Sequence, residues 1–202
     1  GNRTVAAANG GEQHDAAAAP VLPHHLLVVA PDTHRADQLI SDLAFLFQGR
    51  RDLPEVVHFP AWEVLLFDLV SPTVEVSAVR ISALYSLMSG RRSIVVTTVD
   101  GLLQKIVPPA DLRQSIHRIQ TGMELDREYL SAVLDRGGYQ RSSLVEEVGQ
   151  AAIRGAVVDC FPPGNPLPLR FELFDNKVES IRTFDPASQR TVQQLPYVDL
   201  LP

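Results

Sequence analysis

The chain has 202 residues, 45% of them hydrophobic, so it can bury one substantial core or two modest ones. Its formal net charge of −6 argues against direct binding of nucleic acid, because domains that bind nucleic acid usually carry a basic stripe. The single cysteine, Cys160, lies in an apolar run and cannot form a disulfide within the chain, which favours a cytoplasmic protein. No apolar run approaches the ~20 residues that cross a membrane. The first residue is Gly1 rather than Met, so we expect a piece of a longer protein.

The first half of the chain alternates short apolar runs with helical patterns. Residues 1–23 are rich in Ala and Gly and are predicted to be poorly ordered. Strands are predicted at 26–30, 56–59 and 93–99, with helices after Asp32, after Pro72, and from Asp100 to the Pro108-Pro109 pair. Strands that alternate with helices pair in parallel, so residues 1–111 are predicted to form an α/β domain that ends near this proline pair.

The pattern changes beyond the proline pair, and residues 112–196 are predicted to form a small α+β domain. A strand near 115–120 and a helix from Asp126 precede three antiparallel strands at 153–161, 169–174 and 178–184. A breaker cluster at 162–166 separates the first two of these strands. The Asp175-Asn176 pair tolerates the positive φ of a tight hairpin turn and joins the other two into a meander.

Alternation in the middle strand of the meander gives it two unlike faces. One face is apolar, whereas the other carries Arg170, Glu172 and Phe174. Phe174 is either an ordinary isolated surface aromatic or, together with Arg170, part of a recognition patch. In the preceding strand, strict alternation would point Arg154 at the core. A β-bulge at Gly155 is therefore predicted to turn Arg154 outward.

Motifs for catalysis and for metal binding are missing from the sequence. A phosphate-binding loop needs a Gly-rich turn followed by Lys, and neither Lys105 nor Lys177 follows such a turn. The nearby His24, His25 and His34 lack a further ligand at metal-site spacing. No catalytic, cofactor-binding or metal-binding residue is predicted. A stand-alone α/β nucleotide-binding domain or enzyme with an unrecognised site remains the alternative function, and a DNA-binding fragment is a third.

Several blocks of the sequence resemble one bacterial family in their order and spacing. Two are the runs at residues 59–72 and 93–109, and the others are Arg154-Gly155, Asp159, Phe161-Pro162, Arg170, Phe174-Asp175, Phe184-Asp185 and the run from Ser188 to Thr191. They resemble the N-terminal module of the transcription-repair coupling factors (Mfd), which is related to the damage-binding protein UvrB. The long DNA-threading hairpin of UvrB has no counterpart, since Ser71-Pro72-Thr73 passes directly into a helix, so the coupling factor is the better match.

The resemblance implies a fold, a partner and a site. The first domain would be a degenerate, P-loop-NTPase-like nucleotide-binding fold without catalysis, with the ATP-driven motor elsewhere in the full-length protein. The second domain would dock on the excision-repair ATPase UvrA and so recruit it to stalled RNA polymerase. The two arginines and the aromatic residue credited with this docking match Arg154, Arg170 and Phe174. Residues 197–202 would return to the first domain, and the remainder of the same polypeptide would be a further partner.

Overall fold

A parallel sheet of three strands organises the first part of the chain. The computed structural model describes residues 25–50, 52–62 and 72–202, so the prediction for residues 1–23 lies outside the described residues, as do residues 63–71. The strands lie in the order β1-β3-β2, and both pairs are parallel. They are β1 (His25–Ala30), β2 (Glu55–Phe59) and β3 (Ser93–Thr98). The predicted α/β class is therefore confirmed for this part.

Two helices cover opposite faces of the parallel sheet, namely α1 (Thr33–Phe47) and α2 (Val74–Met88). The side chain of Asp32 caps α1 as predicted, accepting a hydrogen bond from the Arg35 amide at 2.7 Å. Helix α1 packs Ala36, Leu39, Ile40 and Leu43 against Val96 and its neighbours. Helix α2 packs Ala83, Leu84 and Leu87 against Val57, Phe59 and Val95. Within the described ranges, no helix is both long and apolar enough to cross a bilayer.

Two short helices follow β3, where one was predicted. Helix α3 (Val99–Leu103) begins at Thr98, whose hydroxyl accepts from the Gly101 amide. The helix that was predicted to end at the proline pair thus ends earlier, and Pro109 opens a second helix, α4 (Pro109–Ser115). Proline suits the first turn of a helix because the N–H that it lacks would have no partner there. The boundary predicted between residues 111 and 112 falls inside α4, and the division into domains stays a prediction.

The remainder of the chain is built on a six-stranded sheet. It is preceded by strand β4 (His117–Gln120) and helix α5 (Arg127–Arg136), which begins after Asp126 as predicted and is capped by the Asp126 side chain. The sheet order is β10-β9-β8-β7-β6-β5, and every pair is antiparallel except β5 with β6. Its strands are β5 (Gln140–Arg141), β6 (Gln150–Arg154), β7 (Val157–Cys160), β8 (Leu169–Phe174), β9 (Lys177–Phe184) and β10 (Thr191–Leu195). Asp175 and Asn176 both have positive φ, so the predicted tight turn between β8 and β9 is confirmed.

One face of this sheet forms the largest apolar core of the described residues. Alternate side chains of β6 to β9 meet α5 there, among them Val158, Leu169, Phe171 and Ile181 from the sheet and Leu130 and Leu134 from the helix. The opposite face of the sheet is consequently free to carry polar side chains. That second face holds the predicted site.

The last strand, β11 (Tyr197–Leu200), pairs antiparallel with β4 rather than with the parallel sheet. Its Val198 and Leu200 are buried in the core under the six-stranded sheet. The segment predicted to return to the first domain reaches that part of the chain through Asp199, which accepts a hydrogen bond from Tyr85 of α2. Strand β11 thus contacts both parts of the molecule.

Candidate functional site

A hairpin turn places Arg154 on the polar face of the six-stranded sheet. The single strand predicted over residues 153–161 is wrong, because the chain reverses at Gly155 and Ala156 between β6 and β7. Gly155 has φ of 61°, a conformation that glycine adopts without strain. The predicted bulge at Gly155 is therefore a turn. Its predicted consequence holds, since 45% of the Arg154 side chain is exposed.

Strand β7 lies between the two arginines of the predicted site. Arg154 is on β6 and Arg170 is on β8, so the interpretation that they sit on neighbouring strands is wrong. The register pairs Asp159 of β7 with Ala152 on one side and with Arg170 on the other. Residues that pair in register point to the same face of a sheet. Arg154, Asp159 and Arg170 therefore share the polar face.

The Asp159 carboxylate joins the two guanidinium groups. Arg170 forms a bidentate ion pair with this carboxylate, with Nε 2.7 Å from Oδ1 and Nη2 2.9 Å from Oδ2. Arg154 donates from Nη2 to the same Oδ2 and from Nη1 to the backbone oxygen of Ser143 at 3.1 Å. The Asp159 side chain is only 1% exposed. A buried carboxylate is costly unless it is paired and hydrogen-bonded, and both arginines meet that need.

Arg170 is the more tightly held of the two arginines. Its side chain is 19% exposed, and its guanidinium carbon lies 4.5 Å from the centre of the Phe184 ring. Nη2 also donates to Oε1 of Gln189 at 3.2 Å. The hydrogen bond with Asp159 raises the pKa of Arg170 above its already high value, so the cation is permanent. Stacking on an aromatic face adds to this positioning.

Phe174 lies on the same face near the end of β8 and is 73% exposed. Glu172 lies between it and Arg170 along the strand, but this carboxylate pairs with Arg182 at 2.7 Å and accepts from Ser180 at 2.8 Å. The structure thus keeps the Glu172 pair separate from the Asp159 cluster. An exposed aromatic ring on the same sheet face as two hydrogen-bonded cations suits an apolar partner surface that also carries an acidic group.

Asp159 is the site residue that the sequence reasoning missed. It stands in the run Ala156 to Phe161, where its neighbours in the chain are apolar. A carboxylate within an apolar strand needs a counter-charge, because an unpaired buried charge is costly. That signal, with Arg154 predicted on the same strand and Arg170 on the next one, could have placed Asp159 in the cluster.

A cleft of about 420 Å³ lies beside the carboxyl ends of the parallel strands, where α/β proteins commonly bind ligands. Its lining includes the acidic residues Asp37, Glu75 and Asp100. Arg80 is 3% exposed, stacks between the rings of Phe59 and Trp62, and donates to the backbone oxygen of Pro60. The carboxylates of this cleft would repel a phosphate group. Among the residues of the described part, no group of three or more His, Cys, Asp or Glu side chains could hold a metal ion.

Comparisons with known proteins define the class of module and then the family. Residues 117–202 match the family model described as the UvrB interaction domain, so this part of the chain is a UvrB-type interaction module. The chain is 43% identical over 180 residues to the transcription-repair-coupling factor of Myxococcus xanthus. It is 36% identical to that of Haemophilus influenzae over 176 residues and 33% identical to that of Escherichia coli over 177 residues.

These alignments cover 87–88% of the chain but only 15% of each relative, so the chain spans a small part of the proteins that it matches. The predicted relationship is confirmed: the chain is related to the N-terminal part of the transcription-repair coupling factors, and its residues 117–202 match the UvrB interaction domain.

Proposed function

We propose that this chain is a non-catalytic adaptor of transcription-coupled DNA repair that recruits UvrA to stalled RNA polymerase. One observation carries the proposal: Phe174 is 73% exposed on the same face of the sheet as two hydrogen-bonded arginines, within the segment that matches the UvrB interaction domain. Arginine and aromatic residues dominate the binding energy of protein interfaces. Arg154, Arg170 and Phe174 would form the docking surface, and the remainder of a longer polypeptide would connect it to the polymerase.

The proposal assigns different roles to the two parts of the chain. Residues 1–111 would be a degenerate, P-loop-NTPase-like domain, residues 112–196 the docking domain, and residues 197–202 the segment that links them. The acidic lining of the cleft at the parallel sheet supports the first assignment, because a nucleotide would bring phosphates toward Asp37, Glu75 and Asp100. ATP should therefore leave the melting temperature of the chain unchanged. A ligand that binds the native state raises this temperature, so an ATP-dependent rise would contradict the assignment.

Docking is tested by binding UvrA to the immobilised chain and to three variants, namely Phe174→Ala, Arg154→Ala and the control Phe45→Ala. Phe174→Ala removes the proposed anchor, whereas Phe45→Ala removes an equally exposed ring from α1, where 76% of Phe45 is exposed. Loss of an anchor costs about 2 kcal/mol or more, which is roughly a thirtyfold increase in Kd. We expect that increase for Phe174→Ala and parent-like binding for Phe45→Ala. Parent-like binding by both Phe174→Ala and Arg154→Ala would place the UvrA site elsewhere.

A further inference from the structure

The polar face of the six-stranded sheet contains a carboxylate that cannot contact a large partner directly. Asp159 is 1% exposed, yet it accepts hydrogen bonds from both proposed docking arginines. Its burial excludes it from the contact surface of a docked protein. We propose that Asp159 is a positioning residue that fixes Arg154 and Arg170 as one receptor for a single carboxylate of the partner. This inference rests on the proposed docking function and adds to it the chemistry of the group that is bound.

The hydrogen bonds of the cluster do not use every N–H donor of the two arginines. Arg170 uses Nε and Nη2 for Asp159 and Gln189, and no acceptor within the described residues takes up Nη1. Arg154 donates one hydrogen bond from Nη1 and one from Nη2, so the other N–H donors of its guanidinium group remain for a partner. Guanidinium groups bind carboxylates through such paired N–H donors. Two guanidinium groups and one carboxylate carry a net charge of +1, which one partner carboxylate neutralises.

Positioning lowers the cost of binding because an arginine side chain otherwise loses rotamer freedom when it docks. Asp159 makes part of this loss occur during folding, before the partner arrives. Without Asp159, two like charges would face each other and move apart. The positioning role therefore predicts weaker binding even though removal of a negative charge makes the surface more attractive to an acidic partner.

Asp159→Asn separates these two effects in a kinetic measurement with purified UvrA. The association rate, which follows long-range charge, should stay equal or rise. The dissociation rate should increase about tenfold or more, because the receptor must be reassembled around each bound carboxylate. Dissociation is measured on molecules that are already bound, so a lower fraction of folded protein does not imitate this result. A folded Asp159→Asn variant that dissociates at the parent rate would overturn the inference.

Asp135→Asn is the matched control on α5, which packs against the opposite face of the sheet. It also removes a carboxylate that pairs with an arginine, but that arginine is Arg141 rather than Arg154 or Arg170. We expect a dissociation rate within about twofold of the parent. The outcomes separate the two proposals: parent-like binding by Phe174→Ala and Arg154→Ala would reject the docking surface and, with it, this inference. Weak binding by those variants together with parent-like Asp159→Asn would reject only the role of Asp159.

NMR of the unchanged chain keeps the inference testable even if Asp159→Asn does not fold. A guanidinium group that is held by hydrogen bonds rotates slowly about its Nε–Cζ bond and gives separate signals for its two Nη atoms. Arg170 should show such signals before UvrA is added. Averaged Nη signals for Arg170 in the free chain would mean that the receptor is not assembled in advance, and the inference would fail.

Discussion

Tyr85 and Asp199 join the two parts of the chain through a hydrogen bond of 2.5 Å from the phenol to Oδ2. Tyr85 lies on α2 and Asp199 on β11, which are 114 residues apart in sequence. Arg118 of β4 holds the same carboxylate with Nε at 2.7 Å and Nη2 at 2.8 Å. The Asp199 side chain is 13% exposed. This contact therefore ties α2 to the ribbon of β4 and β11.

The first prediction concerns Tyr85→Phe, which deletes the hydroxyl and keeps the ring. A hydrogen bond to a charged group contributes about 1.5–3 kcal/mol, so we expect a loss of unfolding free energy near the lower end of that range. Urea denaturation of the whole chain measures it. Tyr129→Phe is the control, since Tyr129 is half exposed and packs edge-on against His117 through its ring. An equal loss of unfolding free energy in Tyr85→Phe and Tyr129→Phe would show that the hydrogen bond from Tyr85 to Asp199 does not stabilise the fold.

The second prediction is a pH dependence that originates at Asp199. The hydrogen bonds from Arg118 hold the pKa of this carboxyl below its ordinary value. The folded state therefore binds the proton less readily than the unfolded state does. The resulting stabilisation is fully present above the ordinary Asp range near pH 4 and is lost as the pH falls through the lower folded-state pKa.

Asp199→Asn should consequently be less stable than the parent at pH 7, and the difference should shrink below about pH 4. Denaturation of both proteins at a series of pH values measures the difference. A stability gap that stays constant from pH 7 to pH 3 would show that the charge of Asp199 does not stabilise the fold.

The third prediction separates the two docking arginines by their effect on stability. Arg170→Ala removes a largely buried guanidinium that makes two hydrogen bonds with a buried carboxylate, so we expect a loss of about 2 kcal/mol or more. Arg154→Ala removes a half-exposed partner and should cost about 1 kcal/mol or less. Thermal unfolding of each variant decides the order. A larger loss for Arg154→Ala would contradict the arrangement around Asp159.

The fourth prediction concerns the smallest piece that folds. Residues 109–202 contain β4, β11 and the whole core under the six-stranded sheet, and we expect this piece to unfold in one cooperative transition. Residues 112–196 lack β11, so they lose the partner of β4 and the buried Val198 and Leu200. That shorter piece should be less stable by several kcal/mol. Equal stability of the two pieces would show that β11 belongs energetically to the first part of the chain.

Local signals in the sequence predicted much of the fold. Asp32 and Asp126 begin helices because a carboxylate can accept from the free amides of the first turn, a rule that holds whatever the surroundings. Asp175 and Asn176 form the turn between β8 and β9 because both residues tolerate positive φ. The alternation of β8 likewise predicted its buried and polar faces, because it depends only on strand geometry.

Signals with two structural meanings led to the errors. Gly155 in an apolar run fits either a bulge or a turn, and only the pairing of β6 with β7 decides between them. Pro109 can follow one helix or open another, since proline is accepted in both places. The Asp159 cluster depends on which strand lies between the two arginines, which local patterns do not specify. The site residues that were found came from the family resemblance rather than from periodicity.

The pairing of β4 with β11 has a topological consequence. His117 lies opposite Leu200, so the polypeptide enters and leaves the six-stranded sheet and its core at adjacent points. Neighbouring strands are about 4.8 Å apart, a gap that a short turn can close. The segment from residue 117 to residue 200 is thus connected to the rest of the chain through two adjacent antiparallel strands, β4 and β11. Such a unit can be grafted into a surface loop of a foreign host, because the host has to supply only two neighbouring chain ends.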